Sequence, residues 1–66
     1  MYIPKTAVRK MLKDAGATRV SDEAISAFQM DISRLALEVA KTAVGFAKHA
    51  KRKTVDITDI KLAFNR

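Results

Sequence analysis

The chain has 66 residues, no cysteine, a single histidine, and 13 Lys and Arg against 7 Asp and Glu, for a net charge of +6. That length holds one domain, residues 1–66. With no thiols for disulfides or a cysteine–histidine metal site, a partner is the expected stabilising device. No signal peptide and no run near the ~20 apolar residues of a membrane span is visible, so no membrane role is expected, and the excess cations point to a polyanionic partner.

A first helix is expected from about Pro4 to Asp14. Proline suits the first turn, where its missing N–H is not needed. Ala7, Val8, Met11, Leu12 and Ala15 recur at helical spacing and form an apolar face. Lys5, Arg9 and Lys13 stand four apart, so three cations share another face, which weakens a helix unless a counter-charge arrives. Gly16 suits the left-handed position just past the helix end. A short basic segment, Thr18-Arg19-Val20, follows.

Ser21 is expected to cap a second helix, with Asp22 and Glu23 in its positive first turn. Ser21 to Ala50 contains no proline and one glycine, Gly45. As a helix it would be roughly 42 Å long, more than so short a monomer can wrap. On a helical wheel Phe28, Ile32, Leu35, Val39 and Phe46 form one apolar stripe, and Met30, Leu37 and Val44 form another nearly opposite. A helix apolar on two opposed faces must be covered from two directions. The short helices of the chain can cover one; the long helix of a second copy is expected on the other. Gly45 falls on the narrower polar strip of Asp31, Arg34, Glu38, Lys41 and Lys48, where it should cost about 1 kcal/mol of helix propensity.

The second basic segment is Lys51-Arg52-Lys53-Thr54-Val55. Asp56 can then cap a last helix from Ile57 to about Asn65. Ile57, Ile60 and Phe64 are expected to make its inward face, with Leu62 well off that stripe, on the side of Asp59. Arg19-Val20 and Thr54-Val55 are each long enough to pair as a tiny strand. Cations thus collect at the ends and loops rather than along the rod. Lys5, Arg9, Lys10, Lys13 and Arg19 face only Asp14 among residues 1–19, and Lys48, Lys51, Arg52 and Lys53 face no acid among residues 48–53.

The pieces Ile3-Pro4, Lys13-Asp14-Ala15-Gly16-Ala17, Arg19-Val20-Ser21-Asp22, Ala47-Lys48-His49-Ala50, Arg52-Lys53-Thr54-Val55, Asp59-Ile60 and Leu62-Ala63, at these separations, resemble the archaeal histones over the whole chain. The resemblance implies an all-α histone fold of short helix, loop, long helix, loop and short helix, in an intertwined antiparallel dimer. It also implies wrapping and compaction of double-stranded DNA with little base-specific readout. Arg19 would enter the minor groove with Thr54 beside it; Lys10, Lys13 and Lys53 would meet phosphates, with Arg9, Lys51 and Arg52 adding to the DNA-binding surface. Arg52 would also pair with Asp59 and fix the second loop; Phe28, Ile32, Leu35 and Val39 would form the dimer core; Phe46, His49, Asp59 and Leu62 would join dimer to dimer.

Three departures stand out: Lys51 replaces a frequent glycine, Phe46 a usual leucine, and Lys10 a common arginine. The implied partners are DNA and another copy of the chain or a paralogous histone, and the implied location is cytoplasmic, on the chromosome. No cofactor is implied. One histidine, no thiol and no glycine-rich phosphate loop argue against an enzyme. The rival reading is a histone-fold dimerisation module of a transcription complex, whose loops would normally be less basic. A helix-turn-helix regulator would need a recognition helix beside a short turn, which the long middle helix opposes. Lys5 is expected to be a solvated charge, and Arg19 has Asp22 as a competing partner.

Overall fold

The computed structural model describes residues 2–65. Three helices carry them: α1 (Lys5–Asp14), α2 (Asp22–His49) and α3 (Ile57–Phe64). The chain divides into two compact units, Met1–Arg34 and Leu35–Arg66, with the division falling inside α2.

In the first unit, α1 begins at Pro4, which is extended (φ −68°, ψ 149°) and has no side-chain cap. Its carbonyl accepts from the N–H of Ala7 and of Val8 at 3.1 and 3.2 Å. The segment before it is tied down from α2, where the Gln29 side-chain amide donates to the Ile3 carbonyl at 2.6 Å. Val8 and Ile25 are buried, together with Gln29 and Ser33. Helix α1 ends in a six-residue loopback: Ala17 N–H donates to the Leu12 carbonyl and Gly16 N–H to that of Lys13, both at 3.0 Å. Gly16 sits at φ +116°, a conformation an L side chain rarely adopts. Ser21 then caps α2, its hydroxyl accepting from Ala24 N–H at 3.1 Å.

In the second unit α2 ends by the same device. Arg52 N–H donates to the Ala47 carbonyl and Lys51 N–H to that of Lys48, both at 2.9 Å. Here the left-handed residue is Lys51, at φ 60°, where its Cβ crowds the backbone. Asp56 caps α3 in a reciprocal box: its carboxylate accepts from Asp59 N–H at 3.2 Å, and the Asp59 carboxylate accepts from Asp56 N–H at 3.0 Å.

The buried face of α3 differs from the expected one. Asp59 and Ala63 are buried, along with Ala43 and Ala47 of α2, whereas Ile57 and Phe64 are 68% and 69% exposed and Ile60 is exposed too. Alanines on both helices permit close approach, and the hydrogen bonds and ion pair of the Asp59 carboxylate offset the cost of burying it. The isoleucine–phenylalanine stripe is therefore left facing water.

The long-helix stripe is also incompletely covered: Leu35 is 61% exposed, and Phe28, Ile32, Val39 and Phe46 are only half-buried. Met30, Leu37 and Val44 are exposed, as is Met11 of α1. Among the described residues the buried apolar side chains are Val8, Ile25, Ala43, Ala47 and Ala63, and three alanines bury too little area to offset the entropy of ordering a chain. No strand is present among the described residues. Arg19-Val20 and Thr54-Val55 lie in different units, and a strand requires a second one beside it.

Replacing Lys51 by glycine relieves the left-handed strain, so Lys51→Gly should raise stability by about 1 kcal/mol and Tm by about 4–8 °C, read by thermal denaturation at fixed protein concentration.

Candidate nucleic-acid interface

The first basic loop follows from the end of α1. With Gly16 reversing the chain, Thr18 and Arg19 are exposed and Val20 is half-buried. Arg19 has no ion-pair partner among the described residues: Asp22 lies instead 3.9 Å from Arg9. That pair supplies the counter-charge the α1 cation face required, though both groups are well exposed and the gain is small. Lys10 lies 3.3 Å from Asp14, one turn on. Lys5 and Lys13 stay exposed and unpaired among the described residues.

The second loop is built around Arg52. One guanidinium nitrogen, Nη1, donates to Asp59 Oδ2 at 2.8 Å and to the Thr54 carbonyl at 3.1 Å; the other, Nη2, donates to Asp59 Oδ1 at 2.8 Å. Nη1 is also 3.4 Å from Asp56 Oδ2. This two-pronged geometry matches a planar guanidinium to a carboxylate and fixes both orientations. Arg52 was expected both among the DNA contacts and as the loop's fixing partner. Its two terminal nitrogens serve the second role inside the loop, while the side chain stays 38% exposed. The engaged guanidinium pins the carbonyl of Thr54, so Lys53 and Thr54 are presented from a held backbone, exposed beside Lys51.

Asp59 is 1% exposed and pulled well below the usual carboxylate range, chiefly by the Arg52 hydrogen bond and next by the Asp56 N–H; burial opposes the shift. Arg52 is correspondingly held protonated by Asp59. Asp59 was also expected at a dimer–dimer contact. Its Oδ1 has one bond among the described residues, while His49 and Leu62 are exposed and Phe46 is half-buried. Two participants escape the sequence reading. Asp56 is a partner of Arg52 as well as a cap, and Gln29 anchors the N-terminal segment. A capping aspartate four residues after an arginine was a signal for the first; a lone amide among apolar helix positions was the signal for the second.

The family model of histone-like transcription factors (CBF/NF-Y) and archaeal histones matches residues 1–64. The chain belongs to this family. It is 46% identical over 61 residues to a protein named probable archaeal histone 3 of Methanocaldococcus jannaschii, covering 92% of this chain and 91% of that one. It is 41% identical over 61 residues to an archaeal histone HAN1 subunit of Thermococcus zilligii, with the same coverage. Helices α1, α2 and α3, with the long one central, are the histone fold. The function is that of an archaeal histone, architectural binding of DNA, and the transcription-complex reading is not favoured. No described helix is long and apolar enough to cross a membrane.

The Asp59 shift sets an acid limit. A carboxylate whose folded pKa lies below its unfolded one contributes stability that is present above the ordinary range and lost as pH falls through the folded value. Asp59→Asn should therefore lower Tm at neutral pH, and by more than Asp31→Asn, whose exposed carboxylate only pairs with Arg34 at 3.0 Å. Below about pH 4 the gap between wild type and Asp59→Asn should narrow. Thermal melts across pH read both effects; a gap that stays constant to low pH contradicts the assignment.

Proposed function

We propose that residues 1–66 act as one histone-fold domain, that two copies pair antiparallel, and that the pair wraps and compacts double-stranded DNA with little sequence preference. The observation that carries this reading is the pattern of ion pairing. Every aspartate of the chain has a cationic partner, whereas Lys13, Arg19, Lys51 and Lys53 have none among the described residues. Polyphosphate supplies the missing anions.

Pairing answers a second need. Leu35 and the Ile57, Ile60 and Phe64 stripe are apolar surface that a second chain can remove from water. In an antiparallel pair the first loop of one copy lies beside the second loop of the other. Arg19 then reaches a minor groove next to the partner copy's second loop, with Thr54 beside it. Lys10, Lys13, Lys51 and Lys53 meet phosphates, and Arg9 adds charge behind them. Arg52 sets the loop through Asp59 and adds its charge to the same surface. Phe28, Ile32, Leu35 and Val39 form the crossing of the two long helices. The same pairing juxtaposes the two short extended segments, each of which lacks a neighbour in its own unit. A paralogous histone fits the same clasp, and the relative named as one subunit of a histone is in keeping with that. Phe46, His49, Asp59 and Leu62 are assigned to contacts between dimers, and the chromosome is the site of action.

Arg19→Ala combined with Lys53→Ala removes four cations per dimer. It should weaken binding at low salt by at least about tenfold and reduce the slope of log affinity against log salt by about 3 to 4. Gel shifts over a salt series read both, and unchanged binding by a folded double variant refutes the loop assignment. Leu62→Glu should leave the dimer intact in sedimentation but shorten the ladder of footprints protected from micrococcal nuclease; an unaltered ladder removes Leu62 from the assembly contact.

A further inference from the structure

Gly45 lies inside α2, where a glycine costs about 1 kcal/mol relative to alanine. Among the described residues nothing repays that cost, since a Cβ built there meets no atom within 4 Å and its backbone is ordinary helix. Open space at a helical glycine leaves room for a close approach from outside. The residues around it describe the visitor. Two diagonal rows four residues apart, Leu37-Lys41-Gly45 and Ala40-Val44-Lys48, run side by side and enclose an open depression of about 350 Å³. Rows of this kind accept the side-chain ridge of another helix, and the small residues Ala40 and Gly45 lower the floor where the ridge must enter.

This depression is not the expected dimer seam. On a helix it lies about 180° around from Leu35, Val39 and Phe46, so a chain that covers one cannot cover the other. Its walls are apolar at Leu37, Ala40 and Val44, which are exposed. Lys41 and Lys48, two turns apart, are the charged residues lining it; neither has an ion-pair partner among the described residues, and no acid lines it. Duplex DNA would find two cations there but gain nothing from leucine and valine. A second copy would bring a surface of net positive charge to two lysines.

We propose that this face of α2 docks an amphipathic helix of another protein, with an apolar ridge against Leu37, Ala40 and Val44, carboxylates two turns apart on Lys41 and Lys48, and its closest approach at Gly45.

The probe is a stapled helical peptide of about 18 residues, long enough to hold helix, with leucines every fourth position flanked by glutamates. It is titrated into the isotopically labelled full chain and followed by NMR. A twin peptide with lysine for glutamate is the charge control. The expected result is resonance shifts concentrated on Leu37, Ala40, Val44 and Gly45 with the acidic peptide only. Gly45→Leu fills the floor while favouring the helix, so it should weaken the peptide at least about tenfold and leave DNA affinity unchanged. Lys41→Ala with Lys48→Ala should weaken it by about tenfold.

The proposal is overturned by absent shifts, by equal shifts from the basic twin, or by shifts confined to Ile57, Ile60 and Phe64. Shifts at the groove on adding duplex DNA would assign it to nucleic acid, and shifts on raising protein concentration alone would assign it to a second copy; either overturns the proposal as well. Because the loops that meet DNA are untouched, failure here leaves the wrapping function standing.

Discussion

A carboxylate buried against a guanidinium organises the second half of this chain. Asp59 accepts both prongs of Arg52 and the N–H of Asp56, and the same Asp59 N–H closes the capping box. One residue thereby starts α3, orients it with Asp59 and Ala63 inward, and holds the loop between Lys51 and Asp56. Removing Arg52 would leave the Asp59 charge without the hydrogen bonds that let it sit at low exposure. The loop cations are consequently displayed from a backbone whose shape does not depend on DNA being present. A binding surface that is already in its working conformation loses less entropy on association.

That orientation has a further consequence. With Asp59 and Ala63 turned inward, Ile57, Ile60 and Phe64 turn outward, and Leu35 on α2 is likewise exposed. The apolar interior available to one chain is largely alanine, so the large aliphatic and aromatic residues remain to be buried elsewhere. The family to which the chain belongs assembles into oligomers, and this distribution supplies the driving force for doing so.

Charge is partitioned with equal economy. Aspartates are consumed within the chain, by Arg9, Lys10, Arg34 and Arg52. Most of the cations left over lie in the two loops and on α1, two more stand along α2 beside Gly45, and Lys61 is on α3. Loop cations and groove cations differ in their company. The groove cations Lys41 and Lys48 stand beside exposed Leu37 and Val44, whereas the loop cations stand in turns beyond the helix ends.

Much of this was legible in the residues themselves, because the signals are local. Pro4, Gly16, Ser21 and Asp56 mark helix boundaries through backbone geometry that depends on a few neighbouring atoms, and the structure places the boundaries within a residue or two of them. The replacement of a frequent glycine by Lys51 and the pairing of Arg52 with Asp59 came from motif resemblance, and folding puts Lys51 in the left-handed region and Arg52 on Asp59. The facing of α3 was not legible. Hydropathy ranked Ile57, Ile60 and Phe64 as the inward side, but a carboxylate held by an ion pair and a backbone N–H can outcompete an apolar stripe for the interior when that stripe has another surface to meet. Nor could periodicity tell which cation an aspartate would choose: Asp22 turned to Arg9, far off in sequence, and left Arg19 free among the described residues. The sequence alone determined the helices, their caps and the location of surplus charge, since these follow from neighbours along the chain; tertiary structure decided which side chains are consumed internally and which remain for partners, since that depends on groups brought together only by folding.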